Sequence, residues 1–302
     1  MRAEAATLRT EARWRAGPVA SARDHLTLMK PKVTLLLTAF GVVAAMVADA
    51  RVAAADLALF ALLGFMAAGG AAALNHVFDR DIDARMERTR ARPLPSGRMR
   101  VRRAVAFAAL LLSVSVGLAA VTLGWAVAAW MALGAAAYAG LYSLVLKRST
   151  HHNIVIGGVA GSCGVLAGWS LADPALGAGA WLLALLVFAW TPPHFWGLAI
   201  ARDADYRAAA VPMLPQTRGI AATARAMAGY AALTWAASVL VVATTPLGSA
   251  YLIVASVLGG LFVALNLRLC AVPTRRLAIT VFKASGGYLG LLLVAMWLDL
   301  VV

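Results

Sequence analysis

Asn75, Asp79 and Asp83 stand at i, i+4 and i+8 in the segment Asn75-His76-Val77-Phe78-Asp79-Arg80-Asp81-Ile82-Asp83. On a continuing helix these three oxygen-bearing side chains share one face, with roughly 6 Å between successive positions, while Asp81 points elsewhere. Two carboxylates that close repel each other unless a cation lies between them. The hard donors suit a divalent ion such as Mg²⁺, which is commonly held by one or two carboxylates together with substrate phosphate. Basic residues follow at once: Arg80, Arg85, Arg88, Arg90 and Arg92, with Lys147 and Arg148 further along. Such residues bind the phosphate oxygens that a metal leaves over. The competing reading of the same segment is a solvated loop whose charges balance.

A second polar cluster, Arg202-Asp203-Ala204-Asp205-Tyr206-Arg207, precedes Val211-Pro212-Met213-Leu214-Pro215. Asp205 is a candidate ligand for a second ion across one diphosphate, making Asp79, Asp83 and Asp205 the expected metal set. Upstream lies Trp190-Thr191-Pro192-Pro193-His194-Phe195-Trp196. The proline pair predicts a broken helix, and freed backbone groups must line a cavity or pack against protein. His194 with Trp190 and Trp196 suits a flat aromatic substrate, or else His194 is a hydrogen-bonded packing residue. His151 and His152 read as interfacial polar residues, and Cys163 and Cys270 as packing residues without metal-ligand spacing.

The elements that must position these groups are membrane spans. Of 302 residues, 62% are hydrophobic and 13% charged, more apolar sequence than a soluble core of this size needs, so the surplus must face lipid. The apolar runs are continuous rather than alternating, which argues for helices and against a barrel. Residues Ala104 to Leu146 carry no charge, and Gly124 divides that run into two spans and a tight turn. Nine spans result: Leu26–Ala48, Ala53–Val77, Ala104–Leu123, Trp125–Leu146, Asn153–Ala172, Ala175–Ala201, Ile220–Thr245, Ser249–Leu267 and Leu277–Leu298. Lys30, Pro31 and Lys32 stand at the start of the first, where the lysines can snorkel to headgroups or reach an anionic ligand.

With this count every one of the 27 Lys and Arg residues except Arg51 falls on one side. The positive-inside rule places that side, and the N-terminus, in the cytoplasm and the C-terminus outside. Topology thus accounts for the net charge of +14 without a nucleic-acid partner. Residues 1–25 form a cytoplasmic amphipathic segment without a secretory h-region, and 26–302 one transmembrane domain. The two long polar connections follow the second and sixth spans, which suggests two similar four-helix halves.

The pattern of Asn75, Asp79 and Asp83, followed by Glu87-Arg88-Thr89 and Arg92-Pro93-Leu94-Pro95-Ser96-Gly97, resembles the UbiA superfamily of intramembrane prenyltransferases. Four further features resemble its branch that farnesylates protoheme IX: Met29-Lys30-Pro31-Lys32, Leu146-Lys147-Arg148-Ser149-Thr150, Trp190 to Trp196, and Asp205-Tyr206-Arg207 through Pro215. The resemblance runs from about Leu26 to Leu298. Ala210 departs from it, standing where glycine is expected, and His76 stands where many members carry Asp.

The resemblance implies an all-helical bundle around a central cavity open sideways to lipid, in a bacterial inner membrane. It implies Mg²⁺ as cofactor, farnesyl diphosphate and protoheme IX as substrates, heme O as product and a heme A synthase as partner. Asn75, Asp79, Asp83, Lys147, Arg148, Asp205 and Tyr206 would be catalytic. Lys32, Arg88, Arg92, Trp190, His194 and Trp196 would bind substrate. Two alternatives stay open: a sister enzyme prenylating another aromatic acceptor, and a transporter for an anionic lipid-soluble substrate, for which a broken sixth helix would be apt.

Overall fold

The computed structural model describes residues 21–302, so the expectations for residues 1–20 lie outside the described residues. Within these bounds nine helices are long and apolar enough to cross a membrane. A short helix α1 (Ala22–Leu28), capped by Ser21 through a reciprocal bond with Asp24, precedes them. The spans are α2 (Pro31–Ala48), α3 (Ala54–Phe78), α5 (Val101–Thr122), α6 (Trp125–Ser149), α7 (Asn153–Ala172), α8 (Ala178–Ala201), α10 (Leu214–Thr244), α11 (Ser249–Ala271) and α12 (Arg275–Val301). Two short helices, α4 (Arg80–Arg85) and α9 (Asp203–Ala208), follow α3 and α8.

These spans match the sequence expectation in number and order. The largest shifts are at two starts. The first span begins at Pro31 because Lys30 adopts a left-handed backbone, φ 51°, separating it from α1. Helix α10 begins at Leu214 but is kinked at Gly219, φ 80°, so its regular part starts near the expected Ile220. Gly124, φ 103°, makes the tight turn between α5 and α6, and its N–H closes onto Ala119 O at 3.0 Å.

Connectivity and packing fall into two comparable halves. Helix α3 lies against α5 and leads into α4; helix α8 lies against α10 and leads into α9. Helices α2 and α7 meet between the halves, and α12 packs along α8, α11 and α2. The α2–α7 contact is built on missing side chains: a Cβ on Gly41 would lie 2.8 Å from Gly164 O. Small residues let membrane helices approach backbone to backbone, which substitutes close packing for the hydrophobic force that lipid removes. Val121, Trp125, Ile253 and Leu261 stay exposed on the outer surface, as lipid-facing positions should.

The proline pair does not break α8. The helix runs unbroken through Pro192 and Pro193, contrary to the sequence expectation, and the argument for a transporter-like broken span goes with it. The helix is the most buried of the nine, so carbonyls freed by the prolines face protein rather than lipid. Thr191 Oγ1 donates to Val187 O at 2.8 Å. A distortion occurs in α6 instead: Ala136–Leu146 is a π-helix of 11 residues.

Candidate functional site

The acidic motif survives the end of α3. Asp79 leaves helical geometry at φ −87°, ψ 2°, yet its N–H bonds Asn75 O at 2.9 Å and Asp83 N–H bonds Asp79 O at 2.7 Å. The three side chains therefore stay on the inner side across the α3–α4 joint, and all are at most 2% exposed. Ile82 and Met86 anchor α4 in the core. Thr89 Oγ1 donates to Asp83 O at 3.0 Å and folds the following loop back over the motif.

Buried carboxylates require compensation, and each finds its own. Lys147 Nζ meets Asp79 Oδ2 at 2.5 Å. Arg92 Nη1 donates to both Asp83 oxygens, at 2.9 and 2.8 Å. Asn75 Nδ2 donates to Asp79 Oδ2 and to Ser143 Oγ, both at 2.8 Å, and Asn75 Oδ1 accepts from Lys30 Nζ at 2.5 Å. Lys30 also donates to Tyr138 Oη at 2.9 Å. The π-helical stretch makes this side of the site. It lets Ser143 Oγ donate to Tyr138 O, five residues back, at 2.8 Å. It also stacks Tyr138 and Tyr142 nearly parallel, centroids 5.8 Å apart, with Lys30 and Lys147 over the two rings.

The two carboxylates of the second motif are engaged differently. Asp205 Oδ1 accepts from the backbone N–H of Glu87 at 3.0 Å, joining the connections of the two halves. Asp203 accepts from Arg207 and Gln216 at 2.9 Å and lies 3.6 Å from Arg275. Tyr206 is buried beneath α9. That helix ends in a Schellman turn, Val211 N–H to Tyr206 O at 3.1 Å, with Ala210 at φ 54° in the left-handed position that glycine would occupy without strain.

Several expected site residues are placed elsewhere. Lys32 is exposed on the first turn of α2, and Lys30 occupies the site in its stead. Residues before proline are pushed out of right-handed helix, so the Lys30-Pro31 pair carried the signal for that turn. Arg148 pairs with exposed Asp81 at 2.6 Å and with Phe78 O at 2.7 Å, outside the buried cluster; its hydrogen bonds hold the Asp81 carboxyl down to about 2. Arg88 is exposed. Asp79, Asp83 and Asp205 do not converge: among the described residues no three His, Cys, Asp or Glu side chains form a ready metal cage. Tyr138, Tyr142 and Ser143 complete the site around Lys30 without having been anticipated. Two tyrosines at i, i+4 before Lys147 were the trace of these three in the sequence.

A second, aromatic locus lies between α8 and α12. Trp190 and His194 stack at 4.4 Å between centroids, and Phe282 covers the imidazole at 4.6 Å. Ser285 fixes both rings: its carbonyl accepts from Trp190 Nε1 and its hydroxyl meets His194 Nδ1, both at 2.7 Å. The Ser285 hydroxyl also lies 2.7 Å from Phe282 O. Trp196 is not part of this group. Two residues beyond His194 it faces away, edge-on to Tyr230 at 5.8 Å.

An all-helical membrane-spanning bundle, with carboxylates and cations buried together at one rim and an aromatic platform between its helices, is the class that fold and site define. The sequence of that bundle matches the UbiA prenyltransferase family over residues 34–296, and the chain belongs to that family. It is similar to chains named protoheme IX farnesyltransferase, for example from Alkalilimnicola ehrlichii, 43% identical over 278 residues covering 92% of each chain. Another, from Azotobacter vinelandii, is 43% identical over 94% of this chain and 95% of its own. Among solved structures, a digeranylgeranylglyceryl phosphate synthase superposes with TM-score 0.76 at 19% identity, over 92% of this chain and 98% of that one. A UbiA homolog from Archaeoglobus fulgidus solved with DMAPP and Mg²⁺ gives 0.69 at 16% identity, over 92% and 99%. At such identities the structural likeness establishes the fold.

Proposed function

We propose that this protein transfers the farnesyl group of farnesyl diphosphate to a vinyl group of protoheme IX, water addition then giving heme O. The observation that carries this reading is the likeness to protoheme IX farnesyltransferases at 43% identity over 92% of the chain, since the fold alone admits many prenyl acceptors. Residues 26–302 act as one catalytic domain in a bacterial inner membrane. The charged rim and the N-terminus face the cytoplasm and the C-terminus the outside. The product is of the kind that a heme A synthase would take over.

Mg²⁺ fits the rim on one structural ground: Asp79 Oδ1 is buried without a hydrogen-bond partner among the described residues, a hard donor left for a cation. Asp79 and Asp83 would hold it, while Asp205 is engaged by the Glu87 backbone. When bound it would neutralise charge on the departing diphosphate. The remaining work falls to side chains. Lys30, Lys147 and Arg92 offer ammonium and guanidinium groups to the phosphate oxygens once the carboxylates share them with substrate. As the allylic C–O bond breaks, the electron pair leaves with the diphosphate. The apolar helices below exclude water from the cation. The Trp190–His194 platform holds the porphyrin so that the vinyl π bond attacks C1 of the farnesyl chain. Water then adds to the carbon left positive and loses a proton.

The direct test is to incubate purified protein with protoheme IX, farnesyl diphosphate and Mg²⁺ and to follow the porphyrin by mass. The mass of heme O is expected. Unmodified protoheme, with prenylation of a hydroxybenzoate or naphthoate offered in parallel, would move the protein to a sister activity.

A further inference from the structure

The last two spans carry positive charge without acidic residues of their own to balance it. Between Asp205 and Asp299 the sequence holds no Asp or Glu, yet Arg268, Arg275, Arg276 and Lys283 stand around the α11–α12 connection. Arg275 is met by Asp203 at 3.6 Å. Arg268, Arg276 and Lys283 are exposed and make no ion pair or side-chain hydrogen bond among the described residues. The connection, residues 272–274, is short, so the last turn of α11 and the first turns of α12 lie side by side. They enclose a crevice of about 440 Å³, lined by Leu265, Arg268 and Val272 from one side and by Arg276, Leu277 and Thr280 from the other.

Lys283 is a second and independent observation. Arg276, Thr280 and Lys283 stand at i, i+4 and i+7, one stripe of α12, turned away from the buried Ala278, Val281 and Ser285. Lys283 lies about 12 Å along the axis from Arg275. The 27 residues of α12 span about 40 Å, which exceeds a hydrocarbon layer of about 30 Å by about 5 Å at each end. The backbone of Lys283 therefore sits below the headgroups, and its side chain must climb to reach them. A lipid-facing cation inside a span is costly unless an anion receives it.

We propose that the crevice between α11 and α12 binds an anionic phospholipid, with Arg268, Arg276 and Lys283 on its phosphate and its acyl chains along Leu265 and Leu277. Basic pockets between spans on the positively charged side of a membrane protein recognise such headgroups. The two guanidinium groups match phosphate oxygens in a planar fork, and the ammonium of Lys283 reaches the same level from below. The lipid bound there joins α11 to α12, the helix that brings Phe282 and Ser285 to the aromatic platform.

Native mass spectrometry of the full-length protein, released from detergent after titration with phosphatidylglycerol or phosphatidylcholine, tests the site. Phosphatidylglycerol should be retained at least about tenfold better than phosphatidylcholine. Arg268→Gln, Arg276→Gln and Lys283→Gln should each weaken that retention about fivefold, and the triple variant about a hundredfold, the scale of one basic residue each at an anionic surface. Arg103→Gln, at another exposed arginine in the first turn of α5, should leave it unchanged. Should the triple variant fail to fold, the three single variants decide. Equal retention of the two lipids, undiminished retention in the single variants, or an equal loss in Arg103→Gln overturns the assignment. Displacement of the lipid by an equimolar amount of protoheme overturns it too, giving the crevice to a porphyrin carboxylate.

Discussion

The two halves of the bundle carry similar scaffolds and unlike chemistry. In the first, Asp79 at the end of the long span and Asp83 on the short helix after it are buried with a lysine and an arginine on them, while Asp81 stays exposed. In the second, Asp203 sits in a surface network with Arg207 and Arg275, and Asp205 is bonded to a backbone N–H of the first half. The buried set of the first half is costly to desolvate and is retained where charge must meet charge. The second half spends its polar residues on holding the connections together and its buried aromatic ones on the platform at Trp190 and His194. On the proposed reading, the two comparable halves would separate the polar and greasy ends of one reaction.

Substitutions in matched positions can break that contrast. The largest effect is expected at Asp79→Asn, which should lower heme O formation by about 10²–10³-fold, the scale for removing one charge-stabilising group, while Asp203→Asn loses less than about tenfold by the same yardstick. Equal losses would mean that both acidic clusters serve the chemistry. Next, Lys30→Met should lower turnover by about 10²-fold and weaken farnesyl diphosphate binding, whereas Lys32→Met leaves both near native; the reverse order would reject the site geometry around Asn75 and Tyr138.

The platform gives a smaller and more selective effect. His194→Ala should raise the apparent KM for heme about tenfold, as loss of one good hydrogen bond or ligand does, with farnesyl diphosphate affinity unchanged. Equal weakening of both substrates, or lost expression, would instead mark His194 as a packing group against Ser285. The smallest effect concerns the scaffold alone: Ala210→Gly should raise stability by about 1 kcal/mol, because alanine at φ 54° bears the left-handed penalty that glycine escapes. A melting temperature in detergent that does not rise would remove the explanation.

What could be read in advance followed the strength of the local signal. Continuous apolar runs and one-sided basic residues fixed the nine spans, because lipid imposes both. The i, i+4, i+8 motif survived as a buried row because its spacing is a helical property, even across the joint at Asp79. Both Lys30 and Lys32 stood out as able to reach an anionic ligand, and which of them enters the cluster depends on one left-handed residue before Pro31. The prolines of α8 predicted a break that burial on all sides makes unnecessary. Trp196 was grouped with Trp190 by nearness in sequence, although six residues of helix turn it to another face. The bond from Glu87 N–H to Asp205 joins residues that no local pattern connects.

The π-helical stretch of α6 gives the site an indexing mechanism of its own. Each residue of an α-helix advances the azimuth by about 100°, so the wider winding of residues 136–146 sets the rotational phase of everything that follows, Lys147 included. Deleting Gly140 would not leave a gap, since no neighbour reaches into its Cβ position. It would let the stretch relax to ordinary winding and remove the five-back bond by which Ser143 reaches Tyr138 O. A length change of one residue, nearly silent in composition and hydropathy, would act there on the wall of the charged cluster.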